Sequence, residues 1–227
     1  MPSINTNVAA IKARSNLDRV QRDMDTSIAR LSSGKRITRA HDDAAGSAIV
    51  GRMESQIRGL NMSIRNTKDG QSLVDTKEGA LQEYSAILQR IRELAVQATG
   101  GTVTNSDRDY LQLEVGQLVK EMKAIADNTK FNDTNVLTGA AFSFYTDIDA
   151  AGTSIDVAGT FLRPQSLGPI TVAAISIGSG TTGAASIAAM ITKLDTAIGS
   201  VAAMRANLGA ISNRFNHVID NLTNVVA

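Results

Sequence analysis

Near the end of the chain Leu194, Val201, Leu208, Phe215 and Leu222 recur at every seventh position. Met190, Ala197, Met204, Ile211, Val218 and Val225 form a second series offset from the first by four residues. Alternating steps of four and three return to one face of a helix, and apolar residues held there over about five heptads make a coiled-coil seam that demands a partner helix. Left bare, that seam would be a large apolar stripe in water. The constraint is severe: the chain must build long helices and lay them side by side.

The composition agrees. With no Trp, no Cys, five Phe and three Tyr in 227 residues, any core has to come from Leu, Ile, Val, Met and Ala. A second heptad series runs Met53, Leu60, Thr67, Val74, Leu81, Leu88 and Ala95, supported by Ile49, Ile57, Ile64, Tyr84 and Ile91. No proline interrupts Asp43 to Gly100, so one helix of roughly fifty-five residues, about 80 Å long, is predicted. Asp42 and Asp43 can cap its start, and Gly100-Gly101 can end it. A third helix is predicted from Ser106, with Asp107 and Asp109 in its first turn and Leu111, Val115, Leu118, Met122 and Ile125 as its stripe. Residues 4 to 31 form a first amphipathic helix, with Ile4, Val8, Ile11, Leu17, Val20, Met24, Ile28 and Leu31 on one face, stopped at Ser33-Gly34. Residues 35 to 42 read as an irregular connector.

Between about 130 and 185 the character changes. Phe131, Phe142, Phe144, Tyr145, Phe161, Pro164 and Pro169 gather there among Gly, Thr and Ser. The runs Ser154-Ile155-Asp156-Val157 and Ile170-Thr171-Val172 suggest hairpins. The expected fold is mainly α: long antiparallel coiled-coil-like helices forming a rod-like domain, with a small β-hairpin-rich insertion. The last seam runs to Val225 and stops at Ala227 without glycine or a basic final turn, which reads as a cut helix.

Enzyme chemistry finds little footing. His41 and His217 are the only histidines, and adjacent ligands such as His41-Asp42-Asp43 do not converge easily on one ion, so that triplet reads as a helix cap. There is no His-Glu-x-x-His and no Gly-x-Ser-x-Gly, and Gly178-Ser179-Gly180 lacks the lysine of a phosphate loop. No catalytic residue, cofactor or metal is expected. The net charge of +1 gives no global field for nucleic acid or an anionic membrane. The first forty residues are locally basic, but acids interleave and stacking aromatics are missing, so this reads as a solvated or subunit-facing surface. The N-terminus has no apolar core of a secretory signal, and no run of roughly twenty apolar residues is present. Any exit from the cell is expected to use a route that reads no such signal. From spacing alone, Arg90, Arg92 and Glu93 read as an ordinary solvated face, with a recognition site as the open alternative.

Several stretches, in order, resemble bacterial flagellins. They are Ile4-Asn5-Thr6-Asn7; Arg30-Leu31-Ser32-Ser33-Gly34-Lys35-Arg36-Ile37; Ala40-His41-Asp42-Asp43-Ala44-Ala45-Gly46; and Arg65-Asn66-Thr67-Lys68-Asp69-Gly70-Gln71-Ser72. Glu78-Gly79-Ala80-Leu81, Gln89 to Gln97, Phe131-Asn132 with Leu137, Arg205-Ala206-Asn207-Leu208-Gly209-Ala210 and Asn213-Arg214-Phe215 follow. Each is weak alone; together and in order they are specific, and they cover residues 1 to about 138 and 187 to 227.

The resemblance implies a structural subunit that polymerises into the flagellar filament for swimming, exported unfolded through the flagellar type III apparatus with an export chaperone and folded under a filament cap. It implies an N-terminal inner-tube helix and spoke over 1–43, the spoke carrying Ser33, Gly34, Asp42 and Asp43. It further implies outer-tube helices over 44–138, a short β-rich variable insertion over 139–186 and a returning outer-tube helix over 187–227. The rod seam would be Met53, Leu60, Val74, Leu81 and Leu88 against Leu194, Val201, Leu208, Phe215 and Leu222. Family members continue with a further amphipathic helix, so the chain is expected to be partial. In flagellins the Gln89–Gln97 face packs on the neighbouring subunit and, in free monomer, is read by Toll-like receptor 5. Gln89, Arg90, Ile91, Leu94, Gln97 and Glu114 are the matching positions. A hook–filament junction protein is the alternative within the flagellum.

Overall fold

The first helix begins where its cap predicts. Helix α1 (Val8–Ser33) starts after Asn7, whose side chain accepts from the Ala10 N–H at 3.2 Å, and stops at Gly34 with φ of 66°. That left-handed turn suits a residue without Cβ. The computed structural model describes residues 7–138, 141–146, 154–157, 177 and 184–227. Ile4 and the strand expected around Ile170–Val172 lie outside these. The chain divides into two compact units, 1–58 and 59–227, each described here by itself. The division falls inside helix α2 (Ala44–Ala98).

In the first unit α1 buries none of its residues. Val8, Ile11, Leu17, Val20, Met24, Ile28 and Leu31 are all exposed. Leu17, Val20, Met24, Ile28 and Leu31 share one face at the helical period, whereas Val8 and Ile11 fall on the opposite, charged side, so the expected single stripe holds only for the later turns. The connector after Gly34 is irregular to Asp43, as expected. Asp43 caps α2, its Oδ1 accepting the Gly46 N–H at 2.8 Å and its carbonyl accepting the Ser47 N–H. Asp42 turns the other way and ties the connector.

The second unit holds the core. Burial along α2 begins at Ser63 and continues through Leu73, Val74, Leu81, Tyr84, Leu88, Ile91, Leu94, Ala95 and Ala98. Of the α2 seam, Val74, Leu81 and Leu88 are fully covered, Leu60 is half-buried, and Met53, in the first unit, is 55% exposed. Helix α3 (Asn105–Asn128) is capped by Thr104, slightly earlier than the expected Ser106. Thr104 and Asp107 form a reciprocal capping box that satisfies two free N–H groups. Asp107 is held below the usual carboxylate range by the Thr104 hydroxyl and then by the Thr104 N–H.

Strands β1 (Lys130–Phe131) and β2 (Thr134–Asn135) pair antiparallel through Asn132 and Asp133, both at positive φ, as the tightest hairpin turns require. Strands β3 (Phe142–Tyr145) and β4 (Ser154–Val157) pair antiparallel, with Phe144 opposite Ile155. The strand predicted at 154–157 is therefore present, packed by Ile155 and Val157 into the core.

Helix α4 (Ala184–Val226) returns along α2. Leu194, Val201, Leu208, Phe215 and Leu222 are all buried. The second series fades along the helix: Met190 and Ala197 are buried, Met204, Ile211 and Val218 half-buried, and Val225 exposed. By length and composition α4 is apolar enough to cross a membrane. Its apolarity has a use within the bundle, because Ile187, Met190, Leu194, Ala197 and Val201 all sit in the core. At the crossing with β3, Gly70 lets Phe215 and Phe144 approach α2. A Cβ there would stand 2.9 Å from Phe215 and 3.0 Å from Phe144, whose rings meet edge-on at 5.9 Å.

Candidate assembly and recognition surfaces

Two surfaces deserve a residue-level description, and the first is α1 with its connector. A helix of 26 residues that buries nothing lacks the packing that stabilises most helices in proteins. Leu17, Val20, Met24, Ile28 and Leu31 make an exposed apolar stripe without a partner among the described residues. The connector, in contrast, is tightly tied. Asp42 Oδ2 accepts from the Thr38 N–H at 3.1 Å, the Thr38 hydroxyl at 2.8 Å and the Arg39 N–H at 3.0 Å. His41 Nε2 lies 3.4 Å from the other oxygen. Those donors, the Thr38 hydroxyl first, hold the Asp42 carboxyl down to about 2. The predicted spoke residues thus have distinct jobs: Gly34 ends α1, Ser33 accepts the Lys35 N–H, Asp42 fixes the turn and Asp43 starts α2.

The second surface lies on α2 and α3. Arg90 donates from Nε and Nη2 to Glu114 Oε1 at 3.0 and 2.8 Å, and from Nη1 to Glu93 Oε2 at 3.1 Å. Glu114, and after it Glu93, pushes the Arg90 guanidinium further toward the charged form. The pair joins one helix to the next across exposed ground. Gln89 and Gln97 are exposed beside it. Ile91 and Leu94 are not: both are at most 1% exposed, because they lie on the inward side of the same helix turn. The part of the predicted face open to a partner is therefore Gln89, Arg90, Gln97 and Glu114, and Ile91 and Leu94 support it from beneath. Val96, Tyr110 and Leu113 are also exposed on these two helices.

The cross-helix ties were not readable in the sequence. Arg92 pairs with Asp195, Arg205 donates to Glu78 at 2.7 and 2.8 Å, and Gln71 donates to Asn216 at 3.0 Å. Partner numbers fall along α4 as they rise along α2, so the two helices run antiparallel. Under these ties lie buried polar groups. Lys77 is wholly buried, and desolvation lowers its pKa to about 8. The Tyr84 hydroxyl and Glu78 Oε2 are buried without a hydrogen-bond partner among the described residues. Burial pushes the Tyr84 phenol well above its ordinary value. Among the described residues no cluster of His, Asp or Glu is arranged to hold a metal.

Comparison with known proteins addresses the whole chain. Residues 4–141 match the family model for the bacterial flagellin N-terminal helical region. A flagellar filament core protein of Brachyspira hyodysenteriae is 41% identical over 226 residues, spanning 93% of this chain and 77% of that one. The crystal structure of Bacillus cereus flagellin superposes with a TM-score of 0.57 at 34% identity, covering 70% of this chain and 88% of that one. A putative flagellar hook-associated protein from Vibrio parahaemolyticus gives a TM-score of 0.71 at 14% identity, over 82% of this chain and 95% of that one. At that identity the likeness is one of fold.

Proposed function

The chain belongs to the bacterial flagellin family, and from that premise we propose how its surfaces serve a subunit of the extracellular flagellar filament. The role is structural, not catalytic. The observation that carries the reading is α1: 26 residues, none buried, with Leu17, Val20, Met24, Ile28 and Leu31 exposed along one face. Neighbouring copies in a polymer supply what the single chain lacks, a set of apolar partners all along the helix. In this reading residues 1–43 form the inner-tube helix and spoke. Residues 44–138 and 187–227 form the outer tube, and 139–186 are a short outward insertion. The export apparatus, an export chaperone and the filament cap are the partners that deliver and place the subunit.

The α2–α3 surface with Gln89, Arg90, Gln97 and Glu114 serves as the axial contact between subunits and, in free monomer, as the face read by Toll-like receptor 5. What supports this is its exposed Arg–Glu network standing on a rigid buried layer of Ile91 and Leu94. Arginine on such a support is a favoured hot spot.

Heating the polymer to monomer and then reassembling it should give tubes in the electron microscope. Amorphous aggregate alone would count against the filament reading. For the receptor, Arg90→Ala combined with Glu114→Ala should lower signalling by monomer, and undiminished signalling would sink that assignment.

A further inference from the structure

Charge is unevenly divided between the two compact units. Residues 1–58 carry ten Lys and Arg against six Asp and Glu, while residues 59–227 carry thirteen against sixteen. A small global charge of +1 therefore hides a basic unit joined to an acidic one.

The basic excess is concentrated. No Asp or Glu occurs between Asp25 and Asp42, and Arg30, Lys35, Arg36 and Arg39 all fall in that interval. All four are exposed. Arg30, Lys35 and Arg36 line an open groove with Ser27, Leu31 and Gly34. Asp42 and Asp43, the acids nearest in sequence, accept from backbone N–H groups and the Thr38 hydroxyl and form no ion pair with these four cations among the described residues. Among the described residues, the ion pairs of this unit are His41–Asp42 and Arg58–Glu54, and neither includes the four cations.

The acidic unit carries a matching site. Arg90 of α2 meets Glu114 of α3, and further on Arg108 Nε donates to the Ala98 carbonyl, so the partner number falls on α3 as it rises on α2 and the two helices run antiparallel. One heptad away in the same register, Glu83 stands where Arg90 stood and Glu121 where Glu114 stood. Both are exposed. Neither has a Lys or Arg three or four residues away on its own helix, where an intrahelical partner would sit. The position that closes with an ion pair in one heptad presents two carboxylates in the next.

We propose that the basic connector of one copy, through Lys35 and Arg36, docks against the Glu83–Glu121 carboxylates of a second copy. This rests on the self-assembly reading above and adds to it a polar contact separate from the α1 stripe. Such a contact is heterologous, joining unlike surfaces, so it repeats from copy to copy into a ring or an open helical polymer. It also makes assembly sensitive to ionic strength, since exposed pairs are screened by salt.

The test is a charge reversal in the whole protein. Variant one carries Lys35→Glu and Arg36→Glu, and variant two carries Glu83→Lys and Glu121→Lys. Because all four side chains are exposed, both variants should keep wild-type helicity and melting temperature. Polymer formation is followed by sedimentation and electron microscopy. Each variant alone should raise the critical concentration for assembly by about tenfold. An equimolar mixture should restore it, because each variant supplies the charge that the other lacks. Neutral variants at the same positions (Lys35→Gln with Arg36→Gln) should fall between, so a folding defect in a reversal variant leaves the proposal open to refutation. Wild-type-like assembly of the single variants, or a mixture no better than they are, overturns the docking and leaves the filament reading standing. Failure of the wild-type protein to assemble under any salt condition overturns both.

Discussion

Gly70 and Lys77 show how much a single position in this bundle can decide. Both lie on α2, within two turns of each other, and both are buried. Replacing Gly70 by Ala adds helix propensity of about 1 kcal/mol. It also drives a methyl to 2.9 Å from Phe215 and 3.0 Å from Phe144, and overpacking of that kind costs ~1–3 kcal/mol. The clash wins, and Gly70→Ala should lose about 1 kcal/mol in urea unfolding. Gly79→Ala is the control: nothing lies within 4 Å of its added Cβ, so it should gain about 0.5–1 kcal/mol. Equal signs for the two substitutions would refute the notch. Lys77 makes a prediction in pH. Its amine titrates near 8 when folded, against 10.5 as a free side chain. Between those values the unfolded chain holds the extra proton, so stability rises with pH from about 8 toward 10. Below 8 both states are charged, and the burial penalty is carried in full. Above 10, unfolded Tyr84 ionises while the folded phenol does not, which pulls the other way. In Lys77→Met the rise between pH 8 and 10 should vanish, as measured by denaturant midpoints across that range.

At the scale of elements, burial along α4 decides which seam residues matter. Phe215 is fully buried against Phe144 and Gly70, whereas Val225, on the companion series, is 61% exposed. Phe215→Ala should cost about 3–5 kcal/mol, and Val225→Ala should stay within about 0.5 kcal/mol. Thermal unfolding of the two variants separates them, and a comparable loss for both would mean that the seam is covered to its end. Much at this scale was legible beforehand. The heptads located α2 and α4, and the β-branched run at 154–157 located β4. Less legible was the start of α3, expected at Ser106 and found capped by Thr104. The capping box settled on Thr104 because Asp107 stands three residues after it and can return the hydrogen bond. Least legible was Met53, which belongs to the α2 heptad yet remains exposed. A repeat states that a partner is needed and is silent on where cover begins.

For the whole molecule, the two compact units differ in how they are stabilised. The second has a continuous core from α2, α3, α4 and the β3–β4 hairpin. The first has a tied connector and a helix with no buried side chain. Backbone amides of Val8 to Ser33 in monomer should therefore exchange quickly, while those of Leu73 to Ala98 stay protected. Polymerisation should slow the α1 amides strongly. Strong protection of α1 in monomer, measured by hydrogen exchange and mass spectrometry, would remove the main support for assembly through that helix.

What the sequence by itself determined is what depends on local spacing: the four helices, the faces of α2, α3 and α4 that turn to the core, the glycine stop at Gly34 and the capping role of Asp43. These follow from helical period and short-range hydrogen bonding, both written within a few residues of one another. Only the tertiary structure decided which way the Arg90 helix turn is rotated. It thereby placed Ile91 and Leu94 beneath the surface and left Arg90 with Glu114 above it. The same holds for Arg92 with Asp195, Arg205 with Glu78, and the two rings in the Gly70 notch. Such contacts join residues far apart along the chain, and their existence depends on the register and rotation of two packed helices. A heptad requires that such a partner exist; the fold alone selects which residues meet.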